Sequence, residues 1–128
     1  MSKLNSTHNR AVWFDIFVDD LERAAKFYGK VLEIPIHRAK FGDTEFCVLD
    51  HQEGNGGCLV PRMGGGIAGT PILLYLNVNG RIREAVQQAE AYGGAVMKDV
   101  HSIEPHGFRA VIRDSEGNEI ALHSETDA

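Results

Sequence analysis

Between residues 11 and 32 the apolar positions change period. Trp13, Phe14, Ile16, Phe17 and Val18 are aromatic or β-branched residues in close succession, which predicts a strand. Leu21, Ala24, Ala25, Tyr28 and Leu32 then recur at three-and-four spacing, the single apolar stripe of a surface helix. Asp19 is expected to cap that helix, with Glu22 three residues on as in a capping box. The same change of period returns sixty residues later, with Val78 standing where Val18 stood. Residues 73–78 predict a second strand, and Ile82, Ala85, Val86 and Ala89 a second helix. Gly93-Gly94 supplies its stop, because a left-handed cap position favours glycine. One β–α unit is written twice.

The remaining polarity pattern extends each copy. Residues 34–40 predict an edge strand, since Pro35 cannot donate to a ladder. Gly42-Asp43 is a turn signal before a strand at 45–49. A second turn at 53–57 precedes a short strand, 58–60, stopped by Pro61. In the second copy, strands are predicted at 95–98, 108–113 and 118–123, with a loop at 101–107 and the hairpin turn Asp114-Ser115-Glu116-Gly117. Between the copies, residues 62–71 read as a glycine-rich linker. A phosphate-binding loop is not supported there, because no Gly-Lys-Ser/Thr ending or following helix is present.

Each copy is therefore βαβββ, and either alone would leave a sheet half exposed. The expected fold is α+β: two tandem βαβββ modules, residues 11–61 and 72–124, forming a curved mixed sheet, or cup, with the helices outside. Together they make a single domain over residues 11–124.

Composition narrows the partners. A chain of 128 residues with 43% hydrophobic and 24% charged residues suits one globular domain. A net charge of −5 argues against a nucleic-acid partner, which would call for a basic stripe. No stretch approaches the run of about 20 apolar residues that spans a bilayer, so no membrane partner is expected. With only Cys47 and Cys58 and no evident secretory leader, a cytoplasmic setting is expected.

With these elements placed, the chain resembles the vicinal oxygen chelate superfamily, which includes glyoxalase I, extradiol dioxygenases and bleomycin-resistance proteins. The carriers are Val18-Asp19-Asp20-Leu21-Glu22-Arg23-Ala24 with Phe27-Tyr28, the opening strand of the second half, and Asp114-Ser115-Glu116-Gly117-Asn118 with Ile120 and Leu122. The resemblance covers residues 11–124 and is nearest an uncharacterised, glyoxalase-related branch. Glu33 departs from it, standing where the family usually places a glycine. Metal-using members draw ligands from the first and last strands of each unit. Carried over, those positions are Trp13, Leu73, Gly57 or Cys58, and Ala121. A divalent ion needs oxygen, nitrogen or sulfur donors, so the resemblance implies a lost metal site and no cofactor. It also implies a homodimer.

Other side chains offer less. His101, Glu104 and His106 are the best alternative metal ligands, but they read as a solvent loop beside Pro105. His37 and His51 read as surface strand residues, and Cys47 and Cys58 as buried thiols.

Strand alternation assigns a lining. If Phe14, Ile16 and Val18 face the helix, then Trp13, Asp15 and Phe17 face the cup. By the same parity Leu73, Tyr75 and Asn77, then Glu119, Ala121 and His123, point inward. Aromatic walls with a few polar groups are the make-up of a small-molecule pocket, although Trp13 and Phe17 serve equally well as core. Asp15 must be paired, by Tyr75, Arg109 or His123, or act with His123 as a general acid/base pair.

Two function classes follow. One is a glyoxalase-related lyase or isomerase, moving protons on a small substrate without metal. The other is a protein that binds and sequesters a drug or metabolite, with a purely dimerising module as a third reading. No hydrolase nucleophile–base pair or dinucleotide fingerprint is present.

Overall fold

The structure, a computed structural model, describes residues 8–62 and 71–128. In chain order these form β1 (Ala11–Val18), α1 (Leu21–Leu32), β2 (Ile36–Phe41), β3 (Thr44–Leu49), β4 (Gly56–Pro61), β5 (Ile72–Asn77), α2 (Ile82–Ala91), β6 (Ala95–Ser102), β7 (Phe108–Arg113) and β8 (Glu119–Ser124). The class is α+β, and βαβββ occurs twice, as the repeated change of period predicts. The expected linker, apart from Arg62 and Pro71, lies outside the described residues. Among the described residues, no helix is long and apolar enough to cross a membrane. The chain divides into two compact units: residues 14–73, and the segment up to Trp13 with Leu74–Ala128.

In the unit of residues 14–73 the strand order is β2-β3-β4-β1, with β2 at the edge as expected, although Pro35 stands just before the strand and not in its ladder. The β2–β3 and β3–β4 pairs are antiparallel. Helix α1 covers one sheet face: Leu21, Ala24, Ala25 and Tyr28 pack with Phe14, Ile16 and Val18 over buried Cys47, Leu49 and Leu59. Its cap is Asp20 rather than Asp19. Asp20 has extended backbone, and its Oδ1 accepts from the Arg23 N–H at 3.0 Å. Asp19 instead pairs with Arg62, and Glu22 with Arg38, so the capping box does not form. Glu33 ends the helix in the left-handed region, φ 54° and ψ 50°, the conformation that explains a glycine preference at this position.

In the unit containing residues 74–128 the order is β5-β8-β7-β6. The β5–β8 pair is parallel and the other two are antiparallel, making this sheet mixed. Ile82, Ala85 and Val86 of α2 are buried against Ala110, Ile112 and Leu122, with Leu76, Val78, Ala89 and Ile120 around them. Full burial of a side chain such as Ile82 contributes about 2–3 kcal/mol. The Gly93-Gly94 stop holds, with the Gly94 N–H donating to the Ala89 carbonyl at 2.8 Å. One expectation is corrected. Strand β6 runs on to Ser102 through two register shifts, so His101 lies in a ladder opposite Arg109. Ahead of β1, Asn9 and Arg10 are tied down: their carbonyls accept from the Asn77 side-chain amide and backbone N–H.

Candidate functional site

Each helix covers one face of its own unit's sheet, and alternation turns the candidate residues to the other face. In the first unit that face carries Asp15 and Phe17 from β1 and Cys58 from β4. Asp15 is only 7% exposed, and its Oδ1 accepts from the Cys58 thiol at 3.1 Å. Strand alternation alone offers Tyr75, Arg109 or His123 as Asp15 partners and reads Cys58 as a buried thiol; Cys58 is a partner beyond those three. The missed signal was the one-residue offset between Leu59, which faces α1, and Cys58, which must then face away. Cys47 packs in the α1 cluster instead, and burial raises its thiol pKa; both cysteines are free. Gly57 comes so close to Phe14 that an added Cβ would meet the ring at 2.3 Å. Phe17 and Leu73 are buried, as is Trp13.

The second unit builds a more extended polar arrangement. Across β6, β7, β8 and β5, His101, Arg109, His123 and Asn77 are register partners in one row. Phe108, Ala110 and Ile112 of β7 pack toward α2, leaving Arg109 on the averted face. Arg109 Nη1 donates to the Tyr75 hydroxyl at 2.9 Å, and Arg109 Nε donates to His101 Nε2 at 3.1 Å. His101 Nδ1 donates to the Asp99 carbonyl at 2.7 Å. Those two ring bonds require neutral imidazole with its proton on Nδ1. Burial first, and the nearby Arg109 and Lys98 charges, lower the His101 pKa against the raising effect of the Asp99 bond.

The other predicted residues are placed as follows. His123, 1% exposed, donates from Nε2 to the His106 carbonyl at 2.6 Å. Asn77 spends its amide on Asn9 and on the Asn79 N–H. Glu119 pairs with its register partner Arg113 at 3.1 Å, and Ala121 is fully buried beside Val111 and Tyr75. His106 is half-buried, and burial leads the lowering of its pKa. His37 lies on β2 and pairs with Asp50, whereas His51 sits in a turn rather than a strand, bonded to the Gly54 carbonyl. Thus Arg109 meets Tyr75 and His101, Asp15 meets Cys58, and His123 meets His106. Among the described residues, no group of three His, Cys, Asp or Glu side chains gathers to hold a metal ion.

The bleomycin resistance protein-like N-terminal family matches residues 10–33. Solved structures match much more. A hypothetical protein from Bacillus halodurans C-125 has a TM-score of 0.69 at 14% identity, covering 94% of this chain and 97% of that one. A glyoxalase/bleomycin resistance protein/dioxygenase superfamily member from Vibrio splendidus 12B01 has a TM-score of 0.63 at 15% identity, covering 87% and 95%. The chain has the vicinal oxygen chelate fold. A methylmalonyl-CoA epimerase from Streptomyces coelicolor, in complex with 2-nitronate-propionyl-CoA, shares that fold with a TM-score of 0.63 at 16% identity, covering 94% and 99%. No curated protein matches the sequence. At such identities the vicinal oxygen chelate likeness is one of fold, and chemistry has to be argued from side chains.

Proposed function

We propose that this glyoxalase/bleomycin-resistance-like chain binds a small organic molecule, and does so without the divalent ion of the metal-using members. The carrying observation is the Tyr75–Arg109–His101 network on the face averted from α2. A half-buried guanidinium oriented by a hydroxyl and a neutral imidazole is the kind of convergent polar group that fixes a ligand. The metal-free part of the reading is supported by donor chemistry. Indole, isobutyl and methyl groups at Trp13, Leu73 and Ala121 offer an ion nothing, and the Cys58 thiol is engaged with Asp15. The epimerase complexed with an acyl-CoA derivative supports a small-molecule role by likeness of fold.

Asp15 favours a second reading, in which the bound molecule is also turned over. A buried carboxylate beside a thiol can take up and return a proton, as glyoxalase-related lyases and isomerases require. In both readings the protein works in the cytoplasm as a homodimer, an arrangement that the exposed Phe27, Val31 and Leu32 of α1 would suit.

Thermal denaturation against a panel of organic acids, acyl-CoA thioesters and aromatic drugs tests the binding reading. At least one compound should raise the midpoint, through linkage between binding and folding. A panel in which nothing shifts it contradicts the proposal and leaves the dimerising module. Asp15→Asn separates the two readings: loss of turnover with binding retained supports acid–base chemistry, while a wild type without turnover leaves a binder.

A further inference from the structure

We propose that Arg109 is the anchor for a carboxylate on the ligand, a substrate class that rests on the small-molecule reading above and sharpens it. Arginine that is partly withdrawn from solvent usually faces a carboxylate. Here both of its side-chain partners are uncharged. The Tyr75 hydroxyl takes one Nη1 proton, and the neutral His101 ring takes the Nε proton. Among the described residues Arg109 has no acidic partner; Arg38, Arg62, Arg81, Arg83 and Arg113 each have one, and Arg10 and Arg23, which have none, are exposed whereas Arg109 is half-buried.

The geometry then selects the ligand. Nε and one Nη1 proton are taken, so the second Nη1 proton and the two on Nη2 have no partner among the described residues. The Nη2 group, with both its protons, and the second Nη1 proton are charged donors of the kind that carboxylate oxygens accept from. His101 and Tyr75 fix the plane of the guanidinium without neutralising its charge. The Asp99 carbonyl in turn fixes His101, because its bond to Nδ1 leaves the Nε2 lone pair turned to Arg109. Arg109 is thus a preorganised cation awaiting an anion, and Tyr75 and His101 are positioning residues.

Paired probes test this: benzoate against benzamide and malonate against malonamide, with inorganic phosphate alongside, each titrated by calorimetry and thermal shift. The acids should bind the wild type and their amides should not. Arg109→Gln should weaken the acids by at least about tenfold, and Arg109→Lys, which keeps the charge without the fork, by less. Tyr75→Phe should give an intermediate loss with a larger dependence on salt, since the guanidinium is then free to move. Acids binding Arg109→Gln as tightly as wild type, or amides binding as tightly as acids, would overturn the anchor while the small-molecule reading stands. Phosphate binding more tightly than either acid overturns the carboxylate assignment. Failure of every compound, including the neutral members of the larger panel, brings down both proposals. If Arg109→Gln does not fold, the acid-to-amide ratio on the wild type and the displacement of the Arg109 Nε–H resonance by benzoate decide.

Discussion

The Cys58 thiol donates to the Asp15 carboxylate across 3.1 Å, joining β4 to β1 on the face that α1 leaves uncovered. A carboxylate without a partner would be costly to bury in a strand. Asp15→Ala should lower stability by about 1–3 kcal/mol, since it removes the acceptor of the Cys58 thiol and leaves a buried cavity. Cys58→Ser keeps a donor at the same place and should cost less than Cys58→Val, which withdraws the donor. Urea midpoints of the three variants check the ordering, and an equal cost for serine and valine would show that the thiol's hydrogen bond is immaterial.

Glu33 occupies a left-handed position at the end of α1. Left-handed backbone costs a residue with a Cβ about 1–2 kcal/mol, against which glycine's extra freedom in the unfolded chain costs about 0.4–1 kcal/mol. Glu33→Gly should therefore stabilise the protein by about 0.5 kcal/mol, and Glu33→Val should destabilise it. Chemical denaturation of both variants measures the difference.

Gly57 has no room for a side chain, because an added Cβ would meet the Phe14 ring at 2.3 Å. Gly57→Ala should cost about 1–3 kcal/mol through displacement of that ring. Phe14→Leu should recover part of the loss in the double variant, and a thermodynamic cycle gives the coupling. Strict additivity would mean that the contact is not where the cost lies.

Much of this was legible in the chain. Leu21, Ala24, Ala25 and Tyr28, and again Ile82, Ala85, Val86 and Ala89, announce helices by spacing, and both sets form the helix faces of their clusters. Alternation likewise placed Phe14, Ile16 and Val18 against α1. What spacing cannot give is which residues meet across strands. The Arg109–Tyr75 bond joins positions thirty-four apart, and the Cys58–Asp15 bond positions forty-three apart; each depends on a register that no local pattern encodes. The polar stretch around Lys98 and His101 hid the continuation of β6, since two register shifts break the alternation that marks a strand. At α1, adjacent aspartates offer the same capping oxygen, and only the backbone decides for Asp20.

Stability should fall in mild acid. His101 and His106 both have folded-state pKa values below the ordinary 6.5, burial being the leading cause for each. The unfolded chain therefore takes up protons near 6.5 that the folded chain refuses, so the stabilising term is complete above that pH. It is lost as the pH falls through the lower folded values. The groups near His101 are Arg109, Lys98 and the Asp99 carbonyl, and those near His106 are His123 and Glu125. His101→Gln keeps an acceptor for Arg109 but cannot titrate, so its midpoint should decline less between pH 7.5 and pH 5. Parallel pH profiles for variant and wild type would remove His101 from the account.

The central claim is ligand binding that owes nothing to a metal ion, and calorimetric titration of chelator-treated protein tests it most directly. With benzoate, or with whichever compound the panel identifies, the account predicts one site per chain whose affinity is the same before and after chelation. Adding zinc, nickel, cobalt or manganese should leave it unchanged. Binding that vanishes with the chelator and returns with one equivalent of a divalent ion would contradict it.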